Sequence, residues 1–372
     1  MNSTAYLDFN ATAPTRPEVI EAVADAMRSG GNASSVHGPG RAARARVEQA
    51  RRRVAALVGA EPSGVIFTGS GTEANNQALR RTGRARLLVG AIEHESVIQA
   101  RDDAELIPVG ADGRVDLAAL ERLLDGDGGP ALVSVMAANN ETGIVQPVAE
   151  VARLAHARGA LVHCDAVQAA GKLPVDMAAL GVDFLSLSAH KIGGPQGVGA
   201  LVCRDPARLG RLVHGGGQEA GLRAGTENVP GIVGFGVAAD SALRGLDGFA
   251  ALADLRDGLE ARMRAEANDI VVIGGDVARL PNTAKVATPG LAAEVQVMGL
   301  DLAGVAISAG SACSAGRVEI PYVLNAMGVA EEIAYCAVRV SLGWTTTADD
   351  LDAFFGAWSG LRRRGAGPAA AH

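Results

Sequence analysis

The chain has 372 residues, of which 48% are hydrophobic and 20% charged, with a formal net charge of −7. This composition is typical of a globular protein long enough for two domains, and its acidic balance argues against general affinity for nucleic acid, which needs a basic surface. The sequence holds no run of about 18 uncharged apolar residues, so no membrane-spanning helix is expected.

The N-terminal segment MNSTAYLDFNATAP lacks the basic flank and the apolar stretch of a secretory signal, which predicts a cytoplasmic protein. The cysteines stand far apart, at Cys164, Cys203, Cys313 and Cys336. Their spacing indicates neither a disulfide framework nor a metal site. We therefore expect reduced thiols and no bound metal.

An arginine-rich segment, RAARARVEQARRR at residues 41–53, sets six arginines against Glu48 alone. Alanines and valines recur on the other side of a helix drawn through it, so an amphipathic helix with a solvated basic face is predicted. A docking face for an acidic partner is the alternative interpretation.

Short apolar runs rich in Val, Ile and Leu alternate with helical patterns from about residue 60 to residue 204. They are nearly continuous in hydrophobicity, which is typical of strands covered on both faces of a parallel sheet. We predict strands at GVIF (64–67), RLLVG (86–90), ALVSVM (131–136), ALVHCD (160–165), VDFLSLS (182–188) and VGALVC (198–203). The fold class is α/β with a largely parallel sheet.

The rest of the chain mixes the two patterns. After the glycine-rich passage 212–231, a helical stretch runs to about residue 265, short strands are predicted near 271, 305 and 337, and helices open near 319 and 345. We predict a large domain at 15–248 and a smaller α+β domain formed by 1–14 and 249–372.

Unusual residues gather at the ends of the predicted strands, where open α/β sheets bind ligands. In GVIFTGSGTEANNQAL (64–79), a strand, a glycine-rich turn and a helix follow one another. Gly71 and Thr72 stand where free helix amides and a hydroxyl can hold a phosphate. Helix capping is the structural alternative, and the Gly-Lys-Ser/Thr ending of a P-loop is missing.

A second strand end carries a carboxylate. ALVHCDAVQAAGKLPVD (160–176) ends its strand in Asp165 and places Gln168 three residues further on. A carboxylate fixed there can pair with a protonated ring nitrogen, and the amide can meet a neighbouring hydroxyl. An aspartate at a strand end is also a common helix cap, so the pair is informative only together with its neighbours.

A third strand end carries a lysine. VDFLSLSAHKIGGPQGVGAL (182–201) ends a buried strand in Ser188, followed by His190 and Lys191. Partial burial of Lys191 would lower the pKa of its amine and make it nucleophilic. A lysine that reaches solvent at the sheet edge is the alternative.

A phosphate cradle, a carboxylate for a ring nitrogen and a Schiff-base lysine, in that chain order, are what pyridoxal 5′-phosphate requires. The sequence resembles the cysteine desulfurases of the NifS and IscS type, which are class V aminotransferases with the PLP-dependent transferase fold type I. The resemblance extends from YLDFNATAP at residue 6 to RVSLGWTTT at residue 339, and its specific stretches are GNASSVHGPGRAAR, TGSGTEANN, NNETG, HCDAVQAAGK, SAHKIGGPQGVGAL, GGGQEAGLRAGT and SAGSACSAG.

The resemblance implies a role for each matching residue. Lys191 would bind the cofactor covalently, Asp165 would hold its ring nitrogen and Gln168 its ring hydroxyl. His94, in AIEHESV, would stack on the ring and take part in proton transfer. The phosphate would be held by Gly71, Thr72, Ser188, His190 and, across a homodimer interface, Thr226.

The resemblance also implies the substrate, L-cysteine. Asn140 would contact both cofactor and substrate, and Arg339 would bind the substrate carboxylate in the two-pronged geometry that a guanidinium favours. Cys313, in SAGSACSAG (308–316), lacks the apolar neighbours of a buried structural cysteine. In the family, a cysteine of this loop accepts the substrate sulfur.

The expected function is therefore conversion of L-cysteine to L-alanine, with sulfur held on Cys313 as a persulfide. It would then pass to an acceptor or iron–sulfur scaffold protein, for iron–sulfur cluster assembly or other sulfur-requiring biosynthesis. A selenocysteine lyase or another aminotransferase-like enzyme of the same fold is the alternative.

Overall fold

The structure, a computed structural model, describes residues 5–126, 128–309 and 321–365. Within these ranges the strands form three sheets. The strands are β1 (Ala5–Tyr6), β2 (Val65–Thr68), β3 (Arg86–Gly90), β4 (Glu105–Ile107), β5 (Ala131–Ser134), β6 (Leu161–Asp165), β7 (Phe184–Ser188), β8 (Gly199–Cys203), β9 (Val271–Val272), β10 (Thr283–Ala287), β11 (Val305–Ala306) and β12 (Ala337–Ser341).

Helices separate most of these strands along the chain. They are α1 (Pro17–Ser29), α2 (Gly38–Leu57), α3 (Gly71–Arg81), α4 (Glu95–Ile98), α5 (Leu117–Leu124), α6 (Val148–His156), α7 (Met177–Leu180), α8 (Val229–Arg244), α9 (Leu246–Ala250), α10 (Leu252–Glu266), α11 (Ala293–Leu302), α12 (Tyr322–Ala326), α13 (Glu331–Ala334) and α14 (Ala348–Gly365). Among the described residues, none of these helices combines the length and the apolar character needed to cross a lipid bilayer.

The largest sheet has seven strands in the order β2-β8-β7-β6-β5-β3-β4, and its strands are parallel except for β8, which runs antiparallel to both neighbours. All residues of β2 and of β5 to β8 are buried. Burial on both faces explains why these strands are almost continuously apolar in sequence. The predicted α/β fold class is confirmed.

Three of the described strands were not predicted: β1, which has only two residues, β4 and β10. The edge strand β4 is three residues long and, within the described part of the chain, pairs only with β3, so its sequence ELI gives little periodic signal. Strand β10, TAKVA, lies in the centre of the second sheet, in the order β12-β10-β9. Its middle residue, Lys285, is fully buried, and a lysine in a short apolar run argues against an interior strand.

The N-terminal residues pack with the C-terminal part of the chain. Strand β1 pairs in parallel with β11, and Leu7 is buried in one core with Leu259 and Trp358. Trp358 is fully buried, and its Nε1 donates to Thr288 Oγ1 at 2.9 Å, so the ring is satisfied as well as packed. This arrangement agrees with a small domain built from both chain ends, although its boundaries stay a prediction.

Four of the six arginines of α2 contact residues of their own chain. Arg41 and Arg44 donate to backbone carbonyls of the preceding loop, and Arg46 forms an ion pair with an aspartate of α1. Arg51 forms two hydrogen bonds with the buried carboxylate of Glu219, at 2.7 and 2.8 Å. These contacts give four of the arginines a structural role, and the docking face stays the alternative interpretation for the segment.

Candidate active site

A cavity of about 520 Å³ opens at the carboxyl ends of the parallel strands. Its walls include residues that follow β2, β5, β6 and β7, and the loop at Asn10 to Thr12 closes one side. Ser308, Tyr322 and Arg339 line it from the C-terminal part of the chain. Its size suits a small organic ligand or cofactor, and its position is the one where open α/β sheets bind such groups.

The start of α3 forms one wall of the cavity. Ser70 caps the helix by accepting a hydrogen bond from Glu73 N at 3.1 Å, and Glu73 in turn accepts one from Gly69 N at 2.7 Å. This reciprocal capping explains why SGTE begins a helix here. Gly71 and Thr72 form its first turn and line the cavity, where the first amides of a helix have no partner within it.

Glycine lets β8 pass directly beneath this helix start. A Cβ at Gly199 would lie 2.5 Å from the carbonyl carbon of Ser70 and 2.8 Å from Gly71 N, so any larger residue would push α3 away from the sheet. The same close approach brings Gly71 beside Ser188 at the end of β7. Ser188 and His190 therefore line the cavity together with the first turn of α3.

Asp165 is held firmly at the end of β6. It is 6% exposed, its Oδ2 accepts from Asn75 Nδ2 at 2.8 Å and its Oδ1 from Val167 N at 2.9 Å. Beneath it, His163 lies between two buried serines, and burial lowers the pKa of this histidine to about 4. The carboxylate thus has a fixed place with a neutral imidazole behind it.

Lys191 follows β7 and reaches across the cavity. Its Nζ donates to the backbone oxygens of Asn10 at 2.6 Å and Ala11 at 2.8 Å. Burial, together with the positive charge of Arg339, lowers the pKa of Lys191 to about 8, although two nearby carboxylates act in the opposite direction. Much of this amine is therefore neutral, and nucleophilic, near pH 8.

Two histidines lie at opposite walls. His94 is exposed at the start of α4, and its Nδ1 accepts from Ser96 N at 3.1 Å. His190 Nδ1 lies 3.1 Å from Thr12 Oγ1, and burial, with the charge of Lys191, lowers its pKa to about 4. His190 is therefore neutral at pH 7, with one ring nitrogen able to donate a hydrogen bond to an anion.

Arg339 closes the cavity at the end nearest the small sheet. It is 3% exposed, and its guanidinium donates to Asn140 O at 3.0 Å and to Asp8 Oδ1 at 2.7 Å. Two buried polar atoms, Arg339 Nε and Asn140 Oδ1, have no hydrogen-bond partner within the part of the chain that the structure describes. Such orphan groups are rare in proteins, and a polar ligand at this end would satisfy them.

Gln168 lies below Lys191 with both ends of its amide engaged. Its Nε2 donates to Asn10 O at 2.9 Å, and its Oε1 accepts from Lys172 Nζ at 2.7 Å. Sequence reasoning gave no role to Asn10, Lys172 or the Asn75 that holds Asp165. Asn10 and Lys172 stand in the stretches YLDFNATAP and HCDAVQAAGK that carry the family resemblance, which was the available signal.

The remaining predicted residues lie elsewhere. Thr226 is exposed between the short helical turn at Glu219–Gly221 and α8, and it does not line this cavity. Cys313 lies outside the described residues. The other three cysteines are buried; burial raises the pKa of Cys164 and raises that of Cys203 to about 12, as suits packing residues.

The fold and the cavity define a pyridoxal phosphate enzyme of fold type I. The chain belongs to the class V aminotransferase family, whose model matches residues 5–354. Its cofactor is therefore pyridoxal 5′-phosphate, and the residues present fit that group: a helix start for the phosphate, a fixed carboxylate and a lysine of lowered pKa around one cavity.

Known relatives are similar along the whole chain. A cysteine desulfurase of Cereibacter sphaeroides is 44% identical, over 93% of this chain and 92% of its own, and an IscS-like cysteine desulfurase of Mycobacterium tuberculosis is 42% identical, over 94% of each. The solved NifS-like protein of Rickettsia africae is 35% identical with a TM-score of 0.90, over 97% of this chain and 99% of its own. The predicted resemblance to the NifS and IscS type is confirmed.

A further solved structure is that of SspA in complex with cysteine. It is 31% identical with a TM-score of 0.76, over 91% of this chain and 98% of its own.

Proposed function

We propose that this pyridoxal phosphate enzyme is a cysteine desulfurase, which converts L-cysteine to L-alanine and takes up the sulfur on Cys313 as a persulfide. One observation carries the proposal: a lysine of lowered pKa, a fixed carboxylate and a buried arginine line a single cavity in a chain similar to cysteine desulfurases over its full length. The cysteine bound in a solved relative supports the choice of substrate.

Cofactor binding is assigned to residues at the strand ends. Lys191 would attach the cofactor covalently, Asp165 would keep its ring nitrogen protonated, Gln168 would contact its ring oxygen and His94 would stack on the ring. The phosphate is assigned to Gly71, Thr72, Ser188 and His190. When bound, pyridoxal phosphate supplies an electron sink for the substrate carbon atoms.

Substrate handling is assigned to the Arg339 end of the cavity. Arg339 would bind the cysteine carboxylate, Asn140 would orient the substrate beside the cofactor, and the amine of Lys191 would remove the Cα proton. The Cys313 thiolate attacks the substrate sulfur; a sulfur–sulfur bond forms, and the carbon–sulfur bond breaks. The electron pair of the broken bond stays with the Cβ atom, which would take up a proton, with His94 as the candidate for proton transfer. Lys191 would return the proton to Cα, and alanine would leave.

The assay that tests this function supplies L-cysteine and a reductant and measures alanine and sulfide in equal amounts. A selenocysteine lyase would act on selenocysteine and leave cysteine unchanged. An aminotransferase would instead form a keto acid without sulfide. Either result would contradict the proposed activity.

The partners belong to the proposal as well. The protein is proposed to act in the cytoplasm as a homodimer, with Thr226 reaching the phosphate of the other subunit, and to deliver sulfur to an acceptor or iron–sulfur scaffold protein. The exposed position of Thr226, away from the cavity of its own chain, supports this role. We expect sedimentation at micromolar concentration to give a dimer; a fully active monomer would contradict the assignment.

Replacing Asp165 by alanine is expected to slow the absorbance change that follows mixing with L-cysteine by about 10²-fold, the usual effect of losing one electrostatic contact to the reacting system. The fold should persist, because Asn75 Nδ2 keeps a second acceptor in Ser96 Oγ at 2.9 Å. Stopped-flow absorbance in a single turnover gives the rate constant. An unchanged value would remove Asp165 from the mechanism.

A further inference from the structure

Lys172 is a buried lysine without an acidic partner. Its side chain is 3% exposed, and no carboxylate forms an ion pair with it in the described ranges. Burial, together with the charges of Lys191 and Arg339, holds the pKa of Lys172 well below its ordinary value. A buried amine of this kind is costly, so the contacts that it makes need a reason.

Two contacts define what Lys172 does. Its Nζ donates to Gln168 Oε1 and to Asn10 Oδ1, both at 2.7 Å. The carbonyl oxygen of the Gln168 amide therefore points at Lys172, and the NH2 group points the other way. There, one N–H donates to Asn10 O at 2.9 Å, a backbone oxygen that only accepts hydrogen bonds.

The reversed amide would be unfavourable at both ends. With its NH2 group at Lys172 it would lose the hydrogen bond that Lys172 donates to Gln168 Oε1, and its oxygen would face the backbone oxygen of Asn10, which cannot donate. Asn10 itself cannot turn freely, because its Nδ2 donates to Thr283 Oγ1 at 2.9 Å and its Oδ1 also accepts from Asn282 Nδ2 at 3.1 Å. Lys172 and Asn10 thus determine which end of the Gln168 amide carries the oxygen and which the NH2 group.

We propose that Lys172 is a positioning residue for the cofactor, which orients Gln168 so that its second N–H is presented to the ring oxygen of pyridoxal phosphate. Gln168 lines the cavity, whereas Lys172 does not, so Lys172 acts through the amide and not by contact. This inference rests on the proposed role of Gln168 and adds to it the direction of the hydrogen bond.

The test is a double-mutant cycle on cofactor affinity. Titration of the apoenzymes with pyridoxal phosphate gives each dissociation constant, and the absorbance spectrum of the bound cofactor is recorded alongside. Lys172→Met and Gln168→Ala are each expected to weaken binding about tenfold, the loss of one hydrogen bond to a charged oxygen. In the Gln168→Ala background, Lys172→Met should add less than about twofold.

The chain offers a matched control. Lys285 is as buried as Lys172, but its Nζ donates to Ala309 O at 2.7 Å and lies 3.6 Å from the buried carboxylate of Glu141, and it forms no hydrogen bond with Gln168. Lys285→Met should therefore leave the cofactor spectrum unchanged. If Lys172→Met does not fold, Lys172→Gln, which keeps a donor, is expected to bind the cofactor more tightly than Gln168→Ala.

The outcomes distinguish the positioning role of Lys172 from the proposed role of Gln168. Full additivity in the double variant would mean that Lys172 does not act through Gln168 and would overturn the inference, with the role of Gln168 intact. Affinity unchanged in Gln168→Ala would overturn both, while leaving the assignment of Lys191 untouched. A spectral change in Lys285→Met equal to that in Lys172→Met would reduce the effect of Lys172 to the general cost of losing a buried lysine.

Discussion

Cys313→Ser is expected to bind pyridoxal phosphate and L-cysteine as the wild type does, yet to form almost no sulfide. A serine hydroxyl is far less ionised than a thiol at neutral pH, and it cannot hold sulfur as a stable persulfide. The residues assigned to the cofactor lie at the strand ends and remain in place, so the block should fall after substrate binding. The measurements are the visible spectrum before and after L-cysteine, and sulfide in the presence of a reductant.

The other cysteines provide matched controls for this prediction. Cys164, Cys203 and Cys336 are buried, so their serine variants should lose stability at most and still release sulfide. Mapping of persulfide by alkylation and mass spectrometry after treatment of the wild type should label Cys313. Persulfide on Cys336 in its place, or normal sulfide release by Cys313→Ser, would favour a lyase that needs no protein thiol.

The strands and the edge of the cavity could be predicted, because both depend on patterns of residues that are close together in the sequence. An apolar run that ends in Asp165 or in Ser188 is visible within a few residues, and parallel strands place their carboxyl ends at one edge. The helix start at Gly71 is equally local, since Ser70 and Glu73 cap each other across one turn. Geometry of this kind needs no knowledge of distant residues.

The support beneath the cavity was not predictable, because it joins distant parts of the chain. Asn10 meets Gln168, 158 residues away, and Thr283, 273 residues away. A single asparagine or lysine carries no periodic signal, and its partners are known only once the fold has brought them together. Lys285 hindered prediction in a different way. A charged residue argues against an interior strand, yet tertiary contacts bury Lys285 in the middle of β10.

Lys191→Ala is expected to lose the cofactor that borohydride can trap on the protein and to lower the rate of alanine formation by about 10⁴-fold, the upper range for a lost general base. The variant loses both the covalent attachment and the base that lies within reach of the substrate carbon. The fold should persist, because the Lys191 amine donates, among the described residues, to the backbone oxygens of Asn10 and Ala11 alone. Reduction of the holoenzyme followed by peptide mapping gives the site of attachment.

Peptide mapping can identify the attachment site clearly, because the chain has only three lysines, Lys172, Lys191 and Lys285. All three lie in or beside the cavity, but Lys191 is the one that lines it. Its pKa of about 8 also predicts a pH dependence, because only the neutral amine attacks an aldehyde. The rate of cofactor attachment to the apoenzyme should rise about tenfold with each pH unit as the pH increases toward 8, and level off above it. A reduced pyridoxyl group on Lys172, or an attachment rate still rising steeply at pH 10, would show that Lys191 is not the attachment site or that its amine is not perturbed by burial.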